Sequence, residues 1–207
     1  HRVELRRLLA VARELPSTLT FYHHSLDFPE IPVITVIAID DWLTRYAYYS
    51  GGGVGLDIDA ALLSALTEYG QAERNMHLAL AVPDWGFAQG VERMFSTAPD
   101  EDVRMINIFF KIVAYYGYKP NIKKMHWYLN GGHSVPLSSL PSLKLESSEE
   151  HWERLLELLA RYAIDPIVFD FTPPQMERVR LMKTYIPELT PPFLPSLPLL
   201  GHPRYYE

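Results

Sequence analysis

The chain has 207 residues, 48% hydrophobic and 21% charged, enough apolar material for a folded core, which excludes global disorder. Nineteen Lys and Arg against 25 Asp and Glu leave a formal net charge of −6, a balance that argues against a nucleic-acid partner, which asks for a basic face. Cysteine is absent, so disulfides, thiolate metal sites and cysteine nucleophiles are excluded, and no apolar run reaches the roughly 18 residues of a membrane span.

The opening HRVELRRLLAVAREL has no signal-peptide layout, so a soluble cytoplasmic protein is expected. It starts on His1 rather than Met, as a piece cut from a longer chain would. Leu5, Leu8, Leu9, Ala12 and Leu15 recur at helical spacing, predicting an amphipathic helix that stops before Pro16. Residues 17–30 are mixed and Pro-bounded and read as loop. The β-branched run IPVITVIAID (31–40) reads as a buried strand. SGGGVG (50–55) reads as a flexible turn.

The strongest helix signal is DAALLSALTEYGQAERNMHLAL (59–80), with Asp59 as its expected N-cap. A Pro-Asp-Trp-Gly turn at 83–86 precedes a helical stretch over 87–96, and 100–117 reads as a further helix with Val103, Ile106, Phe110 and Val113 on one face. The Gly-, Ser- and Pro-rich segment 118–147 holds a short strand at 125–129. Ser147 and Glu150 form a capping box for the next helix, whose core stripe is Trp152, Leu155, Leu156 and Leu159. PIVFDF (166–171) and VRLMKTYI (179–186) read as two strands. Residues 187–203 hold six prolines and predict an extended, polyproline-like arm. The class is mixed α/β (α+β): a mixed sheet with packed helices.

Chemistry is sought first on the helix at 59–80. At 100° per residue, Ser64, Glu68, Gln71 and Asn75 fall within about 60° of one another, with Arg74 at the edge of the stripe. Ala61, Leu62, Ala65, Tyr69, Ala72 and Met76 gather on the other side. A carboxylate, amides, a hydroxyl and a guanidinium suit a magnesium nucleotide: the carboxylate takes the hard cation and the guanidinium the phosphate oxygens. Any amphipathic helix has a polar face, and spacing alone does not separate the two. The preceding GGGVGLD fits neither a Walker nor a dinucleotide-binding glycine pattern, and Asp57 and Asp59 would repel phosphate there. SSEEHWER (147–154) resembles a second nucleotide motif in spacing, but the capping box and the apolar stripe account for it. The adjacent His23 and His24 could not both face one metal from a regular strand. The tyrosines at 46, 48, 49, 115, 116 and 118 read as core and groove lining.

Three ordered features together resemble the YcaO family. They are AALLSALTEYGQAER (60–74), LLELLARYAIDPIVFDFTPPQMERVRLMKTYIPEL (155–189) and the terminal PPFLPSLPLLGHPRYYE (191–207). The resemblance runs from about Ile31 to the end and is nearest to the branch that makes thiazolines and oxazolines in ribosomally made peptides. It implies a YcaO-like α+β fold for residues 1–207, with 1–30 unassigned within it and 187–207 as the C-terminal arm. It also implies ATP- and Mg2+-dependent activation of backbone amides: a Cys, Ser or Thr side chain of a substrate peptide attacks the preceding carbonyl. ATP phosphorylates the resulting oxygen, which then leaves. Glu68 is the implied Mg2+ ligand, and Ser64, Gln71 and Arg74 the implied nucleotide-binding residues; no catalytic residue is implied. The family also carries a Ser/Glu/Glu-Arg helix ahead of the glycine-rich turn, and none precedes it here. On that resemblance the chain corresponds to the C-terminal half of the fold and about half of an ATP site, as a fragment, one chain of a split enzyme or a degenerate copy. That implies a missing N-terminal half or second chain, a leader-peptide-binding partner protein and a homodimer as expected associations. A thioamide-forming or accessory protein-modifying role, or a non-enzymatic peptide-binding scaffold, stands as the alternative.

Overall fold

The computed structural model describes residues 2–14, 17–24, 28–81, 100–176 and 178–189, together with Gly86, Gln89, Gly90 and Arg93. The described chain divides into two compact units, the first running to Lys144 and the second starting at Leu145.

In the first unit, helix α1 (Arg2–Arg13) precedes a three-stranded antiparallel meander of β1 (Leu19–His24), β2 (Val33–Ile39) and β3 (Tyr48–Val54). Helix α2 (Ile58–Ala81) follows. The register pairs Phe21 with Val36 and Val36 with Gly51, so alternate residues of each strand share a face. Ile34, Val36, Ala38 and Tyr49 lie on the face that joins Ala61, Leu62, Ala65, Leu66 and Tyr69 of α2 in one buried core. On the opposite face the Tyr22 hydroxyl donates to the Leu129 carbonyl at 2.9 Å, which ties the helical run at 119–129 to β1.

The glycines are not a turn. They form strand β3, and two of them let α2 approach. A Cβ on Gly51 would overlap the backbone of Ala65 and Tyr69, and one on Gly53 the backbone of Ala61 and Ala65. The helix replies with small residues at those points: Ala61 and Ala65 are fully buried. Glycine has little β-propensity of its own, so tertiary packing makes this strand.

The start of α2 also differs from the expectation. Asp57, not Asp59, caps it: its Oδ1 accepts from Asp59 N at 3.1 Å and its carbonyl accepts from Ala60 and Ala61 N. Ser142 Oγ takes the Ile58 N–H at 3.2 Å and donates to Asp57 at 3.0 Å. Asp59 instead pairs with Arg2 at 2.7 Å and Lys144 at 3.8 Å. The first-turn donors are thus satisfied within the protein, which removes the helix start as an anion site.

Other short segments depart from the sequence reading. Part of the expected loop at 17–30 is β1, which pairs with β2 along its length. The helix expected over 100–117 breaks into a 3-10 turn at Val103–Met105, capped by Asp102, and helix α3 (Phe109–Gly117). Ile106, fully buried, lies in the extended link between them. The strand expected at 125–129 is helical, ending in the turn His126–Leu129; a short apolar run does not by itself distinguish the two.

In the second unit, helix α4 (Ser148–Arg161) precedes the antiparallel hairpin of β4 (Ile167–Asp170) and β5 (Met182–Tyr185). Ser147 Oγ accepts from Glu150 N at 3.1 Å as expected, but Glu150 reaches back to Glu146 N, at 2.7 Å, rather than to the cap residue. Leu158 and Leu159 are buried, whereas Trp152 and Leu156 of the expected core stripe are exposed. The turn at 83–86, the helix at 87–96 and the proline-rich arm beyond Leu189 lie outside the described residues, apart from Gly86, Gln89, Gly90 and Arg93, which are helical.

Candidate functional site

Helix α2 presents two chemically different flanks on either side of its buried face. Ser64, Glu68, Gln71, Arg74 and Asn75 are all exposed. Of these, Glu68 is tied to the sheet: its Oε2 accepts the backbone N–H of Gly52 at 2.5 Å. Strand β3 is at the sheet edge, bonded to β2 on its other side. The structure therefore brings the expected magnesium ligand to the middle of the glycine run, although 16 residues separate them. Ser64, Gln71 and Arg74 share the helix with it. Nothing in the residue types signals the Gly52 bond, because every non-proline residue carries the same backbone donor.

The other flank holds a tyrosine–histidine pair that the sequence reading did not single out. The Tyr49 hydroxyl and His77 Nε2 are 3.1 Å apart, with their rings edge to face. Burial pushes the Tyr49 hydroxyl far above its ordinary pKa, with Asp40 and then Glu73 adding to it. Tyr69 is raised in the same way by burial and by Glu73. Both hydroxyls thus stay protonated across the working pH range of proteins. The buried Tyr69 hydroxyl has no hydrogen-bond partner among the described residues. The long-range signal was present in outline: Tyr49 lies two residues before Gly51, on the same face of β3.

A separate cavity of about 400 Å³ lies on the sheet face away from α2, lined among others by Thr20, Tyr22, Ile37, Trp42, His126 and Asn130. Beside it, Tyr22, His24 and Tyr128 stack, and the Tyr128 hydroxyl bonds His24 Nε2 at 2.9 Å. None of the stripe residues lines this cavity. The Asp-x-Thr of the second unit is a strand stop. Asp170 Oδ1 accepts from Thr172 N, and Thr172 Oγ1 accepts from Leu181 N, each at 2.8 Å.

Among the described residues no three His, Asp or Glu side chains assemble into a metal cage. What the stripe offers is one carboxylate, a hydroxyl and amides along one helix, with a guanidinium at its margin. These are hard oxygen donors plus a phosphate partner, and they fit one side of a magnesium nucleotide rather than its whole coordination shell.

The fold has solved counterparts. A heterocyclase in complex with substrate and cofactor superposes with TM-score 0.59 at 17% identity, over 89% of this chain and 21% of that one. The heterocyclase TruD gives 0.54 at 18%, over 89% and 22%. The E. coli microcin synthetase McbBCD complex with pro-MccB17 bound gives 0.48 at 14%, over 88% and 40%. The chain shares the fold of part of the first two, spanning about a fifth of their length. Residues 2–190 match the YcaO cyclodehydratase family, described as ATP- and Mg2+-binding. The chain belongs to the YcaO family. No curated protein sequence matches it. Among the described residues no helix is long and apolar enough to cross a membrane.

Proposed function

We propose that this chain supplies part of the ATP and Mg2+ site of an azoline-forming cyclodehydratase that acts on ribosomally made peptides. The observation that carries the reading is the match of residues 2–190 to a family described as ATP- and Mg2+-binding; within it, Ser64, Glu68, Gln71 and Arg74 are the exposed polar stripe of α2. Glu68 would bind Mg2+ through its carboxylate, Arg74 would pair with phosphate oxygens, and Ser64 and Gln71 would hydrogen-bond the nucleotide. Bound Mg-ATP supplies the phosphoryl group that turns the amide oxygen of the peptide into a leaving group. The work left to these side chains is positioning and charge neutralisation, which dominate phosphoryl transfer. With a single carboxylate in the stripe, phosphate oxygens and waters would complete the Mg2+ shell, and the rest of the nucleotide would be held by a further polypeptide segment or a second chain, the latter including another copy of this one. The peptide substrate and a partner that holds its leader sequence belong to the same proposal; a heterocyclase of this fold is known with substrate and cofactor bound.

The test is calorimetric titration of Mg-ATP into the protein, alone and with the completing polypeptide, followed by mass spectrometry of a treated peptide. Expected are Mg2+-dependent binding that Glu68→Gln weakens at least tenfold, and products lighter by one water. Exchange of oxygen for sulfur would move the assignment to thioamide formation. Peptide binding indifferent to nucleotide would replace the enzyme with a binding module.

A further inference from the structure

We propose that the backbone N–H of Gly52 is a positioning group for Glu68, fixing one carboxylate oxygen so that the other is presented to the magnesium ion of a nucleotide. The inference rests on Glu68 as the metal-binding side chain, and it concerns how the strand prepares that side chain.

Three observations converge on it. The first is the bond itself, from Gly52 N to Glu68 Oε2 at 2.5 Å, a backbone donor facing a carboxylate. The second is where the donor sits. Gly52 pairs with Thr35 in the β2–β3 register, and β3 bonds only β2 among the described strands. A donor turned away from β2 is therefore available to a side chain. The third is the glycine. Gly51 and Gly53 are required by the helix that presses on them, but Gly52 meets no backbone: a Cβ there would find only Glu68 Oε2, at 3.4 Å. Its φ also lies outside the left-handed region. Neither close packing nor backbone conformation calls for glycine at this position. What its small size does is leave room beside the carboxylate, which a side chain larger than alanine would crowd.

The consequence for metal binding follows from side-chain entropy. An unanchored glutamate loses rotamer freedom when it captures a cation, whereas one already held has lost it on folding. Hydrogen-bonded partners of ligating carboxylates typically carry 10- to 100-fold in metal affinity.

The test uses the full chain and has two parts. In the metal-free protein, the Gly52 amide proton should lie downfield and exchange slowly, and Glu68→Gln should move it upfield. Mg-ATP titrations on Gly52→Ala, Gly52→Val and Gly52→Pro then separate the donor from the space. Alanine keeps the N–H and makes only ordinary contact with Oε2, so it should bind within about twofold of the native chain. Valine crowds the carboxylate and proline removes the donor, and each should weaken binding about tenfold with an unchanged circular dichroism spectrum. If the proline variant does not fold, the amide measurement decides. An amide that ignores Glu68→Gln, or folded valine and proline variants that bind as tightly as the native chain, would overturn the positioning role. Native affinity in Glu68→Gln would instead overturn the assignment of Glu68 as the ligand, which is a separate failure.

Discussion

Helix α2 with strand β3, and the hairpin β4–β5, treat their apolar residues in opposite ways. Against β3, α2 buries Ala61 and Ala65 completely, and Tyr49 beneath it is 1% exposed. In the hairpin every residue of both strands is exposed, with Val168 and Phe169 each at 45%. The first pairing is a helix on a sheet, with one face of the strands covered. The second is two strands whose described residues leave both faces open. An isolated two-stranded hairpin is marginal in water, and among the described residues the larger buried core lies in the first unit. There the expected site rides on a helix whose other face is packed against the sheet.

That contrast is open to attack at several points. The largest effect is expected from Gly53→Val, which drives a branched side chain into the backbone of Ala61 and Ala65. Overpacking against backbone should cost about 3 kcal/mol or more, read as a lowered urea midpoint or failure to fold. Tyr49→Phe should cost about 1 kcal/mol for the lost bond to His77, with no change in the spectrum of the folded state. Ser147→Ala removes the cap of α4 and should also cost about 1 kcal/mol. That loss should appear as faster amide exchange in the first turn of α4 and not in α2. Val168→Ala in the hairpin should change stability by under about 0.5 kcal/mol; a loss as large as that at Gly53 would show that the hairpin is as well supported as α2.

A pH experiment probes the other face of the sheet. Burial, and secondarily the charge of His23, lowers the His24 pKa below its ordinary 6.5. The unfolded chain therefore binds the proton first, and stability is complete above about pH 6.5 and declines as pH falls toward the folded-state value. His24→Phe keeps a ring for the stack with Tyr22 and Tyr128 and should flatten this part of the stability–pH curve. An unchanged slope in the variant would assign it to another group.

Legibility from the sequence followed the length and regularity of each signal. Helix α2 was readable because 24 residues repeat one pattern, and β2 because all but Thr35 of its seven residues are apolar and most are β-branched. Strand β3 was not, since three consecutive glycines signal flexibility while the constraint on Gly51 and Gly53 lies on the following helix, at Ala61, Ala65 and Tyr69. Residues 125–129 were too short for either period to declare itself. Ser64, Glu68, Gln71 and Arg74 were legible as a stripe, and the structure does place them on the exposed surface of α2. The anchoring of Glu68 was not legible, being a side chain meeting a backbone group. A usable clue existed in hindsight: Gly51 and Gly53, two apart on a strand, match Ala61 and Ala65, four apart on a helix, which are the two periods at which small residues can mate.

The glycine strand also has a consequence for how this protein can vary. Saturation mutagenesis across residues 51–53 should give a comb: outer teeth where almost every replacement abolishes folding, and a central gap where many replacements fold yet few preserve ligand affinity. Sequence drift in this stretch is then governed by two unrelated filters on adjacent codons. A survey scored only by solubility would see one of them and miss the other.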